Sequence, residues 1–205
     1  KSLPEALMLQ DCGIFFGGVN YPLWYLCALL WGGALCYSLL RCYKHKALSL
    51  IFPLIIFTGY TYLFNYNNGN IQVWDVVGGI KLTMLRGICG ISLGVVLGHF
   101  MEKKHDIINN HNRFVDFISI LSLIFFVVFL FAKTNYDNYG LITVCFILIG
   151  CFNSDSVINK ITCWSGWTFL GTLSWEMLIC HGRISIPLYE NLIDKLISLN
   201  CIVEI

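Results

Sequence analysis

The chain has 205 residues, of which 57% are hydrophobic and 12% charged; 13 Lys and Arg face 12 Asp and Glu, for a formal net charge of +1. A charged share about half the roughly 25% of soluble domains excludes an ordinary water-soluble globule. The near-zero net charge leaves no field for holding nucleic acid. The apolar residues come in blocks near the ~20 residues that cross a ~30 Å hydrocarbon core as a helix. The expected fold is therefore all-α, a polytopic transmembrane helical bundle of about six spans in one domain, with the lipid bilayer as its partner and solvent.

The first span is expected from about Pro22 to Leu40, with proline in its first turn, where a missing N–H is harmless, and Trp24 and Tyr25 at interface depth. Arg41, Lys44, His45 and Lys46 close it. A second span follows from Ala47 to Phe64, with Pro53 as a candidate kink, and an Asn- and Gly-rich stretch from Asn65 to Gly79 separates it from the third. The third, about Lys81 to Phe100, carries Gly90, Gly94 and Gly98 at intervals of four, a face bare enough for another helix to approach.

The fourth span, Val115 to Ala132, reads as plain aliphatic and aromatic residues, expected to face lipid over much of its surface. The fifth, about Asn138 to Phe152, is short for a full crossing. The sixth begins near Trp164 or Trp167 and runs to about Ile186, interrupted late by Gly182 and Pro187. Loops after spans one, three and five hold Arg41, Lys44, Lys46, Lys103, Lys104, Arg113 and Lys160, against Lys133 and the span-edge Lys81 in the opposing loops. Short basic loops stay in the cytoplasm, so the first span enters from outside.

Ten cysteines invite a metal or disulfide reading, but no two are spaced Cys-x-x-Cys, and Cys27, Cys36, Cys89, Cys145 and Cys180 lie in apolar runs. They read as small hydrophobes, and no metal site is expected. Cys12 and Cys201 lie outside the spans and could pair in an oxidising compartment. No signal peptide is identifiable, and the chain reads as incomplete at its N-terminus and, from the apolar turn it takes near Ile205, at its C-terminus.

Three residues could carry chemistry. Arg86 lies about one turn inside the external end of the third span, where a guanidinium in hydrocarbon costs several kcal/mol. It either snorkels to the interface as an anchor or lines a polar cavity. Glu176 sits near the middle of the sixth span, too deep for a short side chain to reach water. It either lines a cavity or forms a structural pair with Arg86 or Arg183. His181 could act as general acid or base, or cap a helix end. Helical spacing puts Ser174 and His181 on one face and Glu176 and Arg183 on another, so Glu176 and His181 form no simple dyad unless Gly182 unwinds the helix. No Gly-x-Ser-x-Gly, His-Glu-x-x-His or Walker-type loop is present.

Asn20-Tyr21-Pro22-Leu23-Trp24-Tyr25-Leu26, then Leu85-Arg86-Gly87 with Gly94 and Gly98, then Ser174-Trp175-Glu176-Met177-Leu178-Ile179-Cys180-His181 occur in an order that resembles acyltransferase family 3, multispan membrane proteins that move acyl groups onto sugars of cell-surface glycans. Trp and Leu stand where the family's last pattern usually has tyrosines. The resemblance covers the family's middle and late portion. It implies a larger bundle of about ten spans in a cell membrane, the bacterial plasma membrane in the first instance. It further implies acyl-CoA, in the simplest case acetyl-CoA, as cytoplasmic donor, and a glycan hydroxyl as acceptor. The implied catalytic residues are Arg86, Glu176 and His181, with Trp24 and Ser174 binding substrate. The family's signature of a basic residue with a His eleven positions later is missing, since no Lys or Arg has a His at that spacing. A chain without that base is expected to be inactive alone. A transporter or flippase for a glycan or small solute is the alternative, because intramembrane Arg, Glu and His also mark permeation paths. A structural or sensory membrane domain is a third reading.

Overall fold

The computed structural model describes residues 9, 24–70, 75–103, 113–131, 137–152, 156–167, 169–172 and 174. They form a helical bundle, and four of its helices are long and apolar enough to cross a membrane: α1 (Tyr25–Tyr43), α2 (Ala47–Tyr66), α3 (Leu82–Lys103) and α4 (Phe114–Phe131). The chain is a membrane protein. α5 (Asp137–Phe152) is apolar but has only 16 residues, about 24 Å of helix against a ~30 Å core. α6 (Val157–Thr162) is a short helix in the segment expected to be a loop. Helical turns continue over 165–167 and 169–172, and the rest of the expected sixth span lies outside the described residues.

α1 and α2 each contain a π-helical turn, Ala28–Gly32 and Ala47–Ile51. The second precedes Pro53 by two residues. Proline donates no N–H and crowds the carbonyl four residues back, and a wider turn just before it relieves that crowding without ending the helix. α1 stops at Lys44, whose positive φ of 43° turns the chain while its N–H still reaches the Leu40 carbonyl at 2.8 Å.

Part of the Asn- and Gly-rich stretch forms a small antiparallel hairpin, β1 (Val76–Val77) and β2 (Ile80–Lys81). Gly78 and Gly79 both have positive φ, 59° and 83°. That is the requirement of the tight two-residue turn matching strand twist. The hairpin feeds directly into α3, and the Leu82 N–H bonds the Asp75 carbonyl at 3.0 Å.

α3 is the hub of the first three helices. It runs antiparallel to α2, with Leu63 and Tyr60 beside Leu82 and Cys89 at one end, and Phe52 and Ala47 clustered with Val95 and Val96 at the other. It runs alongside α1 in the same direction. Ala28 meets Gly87, Gly32 meets Ile88 and Ile91, and Cys36 Sγ lies 3.6 Å from Ser92 Oγ. Cys27, Cys36 and Cys89 are buried in these seams as small packing residues.

Among the first three helices, the tightest approaches are at Gly59 and Gly87. A Cβ on Gly59 would overlap Cys89 Sγ, and one on Gly87 would sit 2.6 Å from Ala28 Cβ. The expected packing face of Gly90, Gly94 and Gly98 is not where helices meet among the described residues. Nothing lies within 4 Å of a Cβ built on Gly94 or Gly98, and only the Tyr60 hydroxyl, at 3.8 Å, approaches one on Gly90. The face of α3 that receives α1 is instead offset by one residue, through Gly87 and Ile91.

α4 and α5 form a second antiparallel pair. As expected, α4 shows lipid a wide apolar surface, with Phe114, Phe117, Val128 and Phe131 exposed. Its buried positions are Ser119 and Ser122. Ser119 donates to the Phe146 carbonyl at 3.0 Å, and a Cβ on Gly150 would lie 2.6 Å from Ser119. Lipid tails are as apolar as leucine, so helices associate here through small residues and hydrogen bonds rather than by hiding greasy ones.

Gly59→Leu is expected to lower stability to denaturing detergent by about 1–3 kcal/mol, because the new side chain collides with the α2–α3 seam. Gly94→Ala, which meets open space, should change stability by less than about 0.5 kcal/mol. Equal effects of the two would show that Gly59 is not a close-packing site.

Candidate functional site

A cavity of about 420 Å³ opens between α1, α2, α3 and α5. That falls in the ~300–1,000 Å³ range of small-molecule sites. α3 contributes Arg86, Gly87, Gly90 and Ile91, which share one helix face because residues four apart stack. α1 contributes Tyr25, Ala28 and Leu29 at the matching spacing, while α2 supplies Tyr60 and α5 supplies Leu141.

Each wall residue has a local reason for its place. Gly87 lets α3 approach Ala28, so α1 and α3 meet at the level of the cavity. Gly90, lacking a side chain, leaves space in front of the Tyr60 hydroxyl. Tyr60 is buried and stacks on Phe64, with ring centroids 5.9 Å apart and planes 21° apart. Ala28 and Leu29 belong to the π-helical turn of α1. Such turns recur at functional sites because they shift the register of the side chains that follow.

The polar groups are graded with depth. Arg86 lies four residues inside the start of α3, about 6 Å along the axis. Gly90 and Ile91 lie about 12–14 Å along it. Side chains of a helix lean toward its N-terminus, so Arg86 is directed back toward the near end of the bundle. Tyr25, on the first turn of α1, lies at that same end. Ala28, Leu29, Ile91 and Leu141 make up the apolar part of the wall. The site is a cation and a phenol over an apolar floor, with Tyr60 as a second phenol on the side wall. Such a site can stabilise one negative charge and hold hydroxyl groups or an apolar body beside it.

Of the residues expected to carry chemistry, Arg86 is half-buried on this cavity wall. Trp24 opens the first helix, next to Tyr25. Ser174 is exposed and donates its hydroxyl to the Gly171 carbonyl at 2.8 Å. It is not among the cavity's lining residues. Glu176 and His181 lie outside the described residues, as does Arg183. Two site residues were not anticipated as such. Tyr25 reads from sequence as an interface anchor, and Tyr60 carries no signal beyond sharing a helix face with Leu63 and Phe64. The serine of α4 nearest the basic end is preceded by Asp116, whose Oδ1 is buried without a hydrogen-bond partner among the described residues.

No family model, curated protein or solved structure matches this chain.

Alternating helix directions put Arg41, Lys44 and Lys46 at the α1–α2 corner and Lys103 at the end of α3, on the end of the bundle opposite Arg86. The positive-inside rule then places the cavity mouth on the external side. An alkaline phosphatase fusion joined after Asn68 is expected to be active and one joined after Lys103 inactive. The reverse pattern would put Arg86 at the cytoplasmic end.

Proposed function

We propose that this chain is the membrane part of an acyltransferase of a bacterial plasma membrane. It moves an acyl group, acetyl in the simplest case, from acyl-CoA to a hydroxyl of a cell-surface or exported glycan. The observation that carries the reading is Arg86, held at the mouth of an intramembrane cavity whose other polar groups are phenols. The order of the Trp24, Arg86-Gly87 and Ser174 to His181 segments adds the resemblance to acyltransferase family 3.

In the reaction the acceptor hydroxyl oxygen forms a bond to the thioester carbonyl carbon, the carbon–sulfur bond breaks, and the hydroxyl proton leaves with the CoA thiolate. Negative charge builds on the carbonyl oxygen before the sulfur departs. Arg86 lies on the acceptor side, where a guanidinium in a water-poor cavity orients the acceptor hydroxyls and stabilises charge developing there far better than it does in water. Tyr25 and Tyr60 offer hydroxyls that can donate to or accept from sugar hydroxyls. Glu176 and His181 complete the acceptor side in this reading. The basic corner of Arg41, Lys44 and Lys46, all exposed, lies at the end from which a polyanionic CoA donor approaches.

A transporter or flippase is the second reading, favoured by the two π-helical turns in α1 and α2, since locally irregular helices line many translocation sites.

Arg86→Gln in the complete gene product is expected to lower acyl transfer from labelled acyl-CoA to envelope glycan about a hundredfold or more, the effect of deleting one charge-stabilising donor. Membrane abundance should stay the same. Full acylation by the mutant would sink the proposed site, and acceptor glycan accumulating inside the cell with its acylation intact would favour the transporter.

A further inference from the structure

We propose that the Arg86 cavity takes an anionic phospholipid, entering from the outer leaflet with its phosphate on the Arg86 guanidinium and its acyl chain along Leu29 and Ile91. The proposal rests on the cavity described above and names the chemical class it holds. It does not depend on acylation.

Three features of the cavity point to an amphiphile rather than to a free anion. Its one charge lies near the mouth. Arg86 and Tyr25 sit within about a turn of their helix starts, and Ala28, Leu29, Ile91 and Leu141 make the rest of the wall apolar apart from the Tyr60 hydroxyl. A free phosphate would use the mouth and leave the apolar floor unfilled.

The depth also fits. α3 has 22 residues, about 33 Å of helix, close to the ~30 Å hydrocarbon thickness. Its first turn therefore lies at the headgroup boundary. An Arg86 side chain leaning back toward the helix start reaches the level of lipid phosphates.

The mouth is lateral as well. Tyr25 and Leu29 are 47% and 46% exposed, and Gly90 is exposed among the described residues. Leu29 and Gly90 lie about one to two turns inside their helices, so this opening is at the level of the hydrocarbon core. A lipid can slide in from the bilayer without leaving it, and the bare Gly90 keeps the passage beside Tyr60 open.

The test uses the full-length protein in a neutral detergent with no acyl-CoA and no glycan present. Thermal unfolding and native mass spectrometry are read with added phosphatidylglycerol, phosphatidylcholine, glycerol 3-phosphate or inorganic phosphate. Phosphatidylglycerol is expected to raise the melting temperature and remain bound, and the two water-soluble phosphates are expected to do neither at the same concentration. Phosphatidylcholine, whose phosphate is internally compensated, should bind at least tenfold more weakly. Arg86→Gln should weaken phosphatidylglycerol binding at least tenfold, and Arg86→Lys should restore most of it. Gly90→Leu, which keeps the cation but fills the floor, should weaken it too. Lys103→Gln, at the other end of α3, should have no effect.

Equal binding of both phospholipids, or unchanged phosphatidylglycerol binding in both Arg86→Gln and Gly90→Leu, would overturn the proposal. Inorganic phosphate matching phosphatidylglycerol would overturn it in favour of a free-anion site. Lipid binding lost in Arg86→Gln while the wild type transfers no acyl group would leave this inference standing and remove the acyltransferase reading. Acylation lost with lipid binding intact would do the opposite.

Discussion

The approach of Gly87 to Ala28 fixes most of what the rest of the structure can be. Two helix backbones come close enough there that a Cβ on Gly87 would lie 2.6 Å from the Ala28 methyl carbon. The contact sits beside Arg86 in sequence and in the first third of both helices. It sets how α1 leans on α3 and so how wide the opening beneath Arg86 is. Below it the same seam continues through Gly32 against Ile88 and Ile91, and then Cys36 against Ser92. A bulkier residue at 87 would push α1 outward and open the cavity to lipid along its whole length.

Small polar groups do the joining elsewhere in the bundle. Without water in the hydrocarbon core, each hydroxyl or thiol has to find a protein partner. Cys89 Sγ donates to the Ile55 carbonyl across the α2–α3 seam, and Ser119 Oγ donates to the Phe146 carbonyl across the α4–α5 seam. Others fold back on their own helix, as Ser38 does on Ala34 and Thr58 on Leu54. The two patterns differ in effect. Bonds between helices hold specific partners together, while bonds within a helix only make a hydroxyl tolerable in lipid. Interhelical bonds of the first kind contribute about 0.6 kcal/mol each on average in such proteins. The glycine contacts are therefore at least as important as the bonds for choosing which faces meet.

Much of the architecture is legible in the sequence because crossing a bilayer is a length and composition requirement. Expected span limits of Ala47 to Phe64 and Val115 to Ala132 fall within a few residues of Ala47–Tyr66 and Phe114–Phe131. The Gly78–Gly79 turn carries a clear local signal between Val76-Val77 and Ile80, which a reading focused on hydropathy passes over. Packing faces are harder. Gly90, Gly94 and Gly98 form the more regular motif, yet it is Gly87 and Gly59 that other helices touch. A glycine permits close approach without requiring it, and which neighbour arrives depends on the side chains of that neighbour. The same limit hides Ser119 and Ser122, which look incidental in an aliphatic run and turn out to be the buried face of α4. Of the candidate site, Arg86 was legible from its cost in hydrocarbon. Tyr60 was not, because its role depends on the gap at Gly90, thirty positions away in the chain.

The position of Arg86 near one end of α3 also limits what chemistry it can support. A cation in mid-membrane would need a permanent counter-ion, and the pair would be committed to each other rather than to a ligand. About 6 Å inside the helix start, the long side chain is within reach of the interface. Tyr60 is placed differently, buried to 7% exposure beneath the mouth and held by Phe64. A cation at the rim and a buried hydroxyl on the wall divide the work of a binding site, the first drawing charge and the second bearing on how far in the rest of a ligand lies.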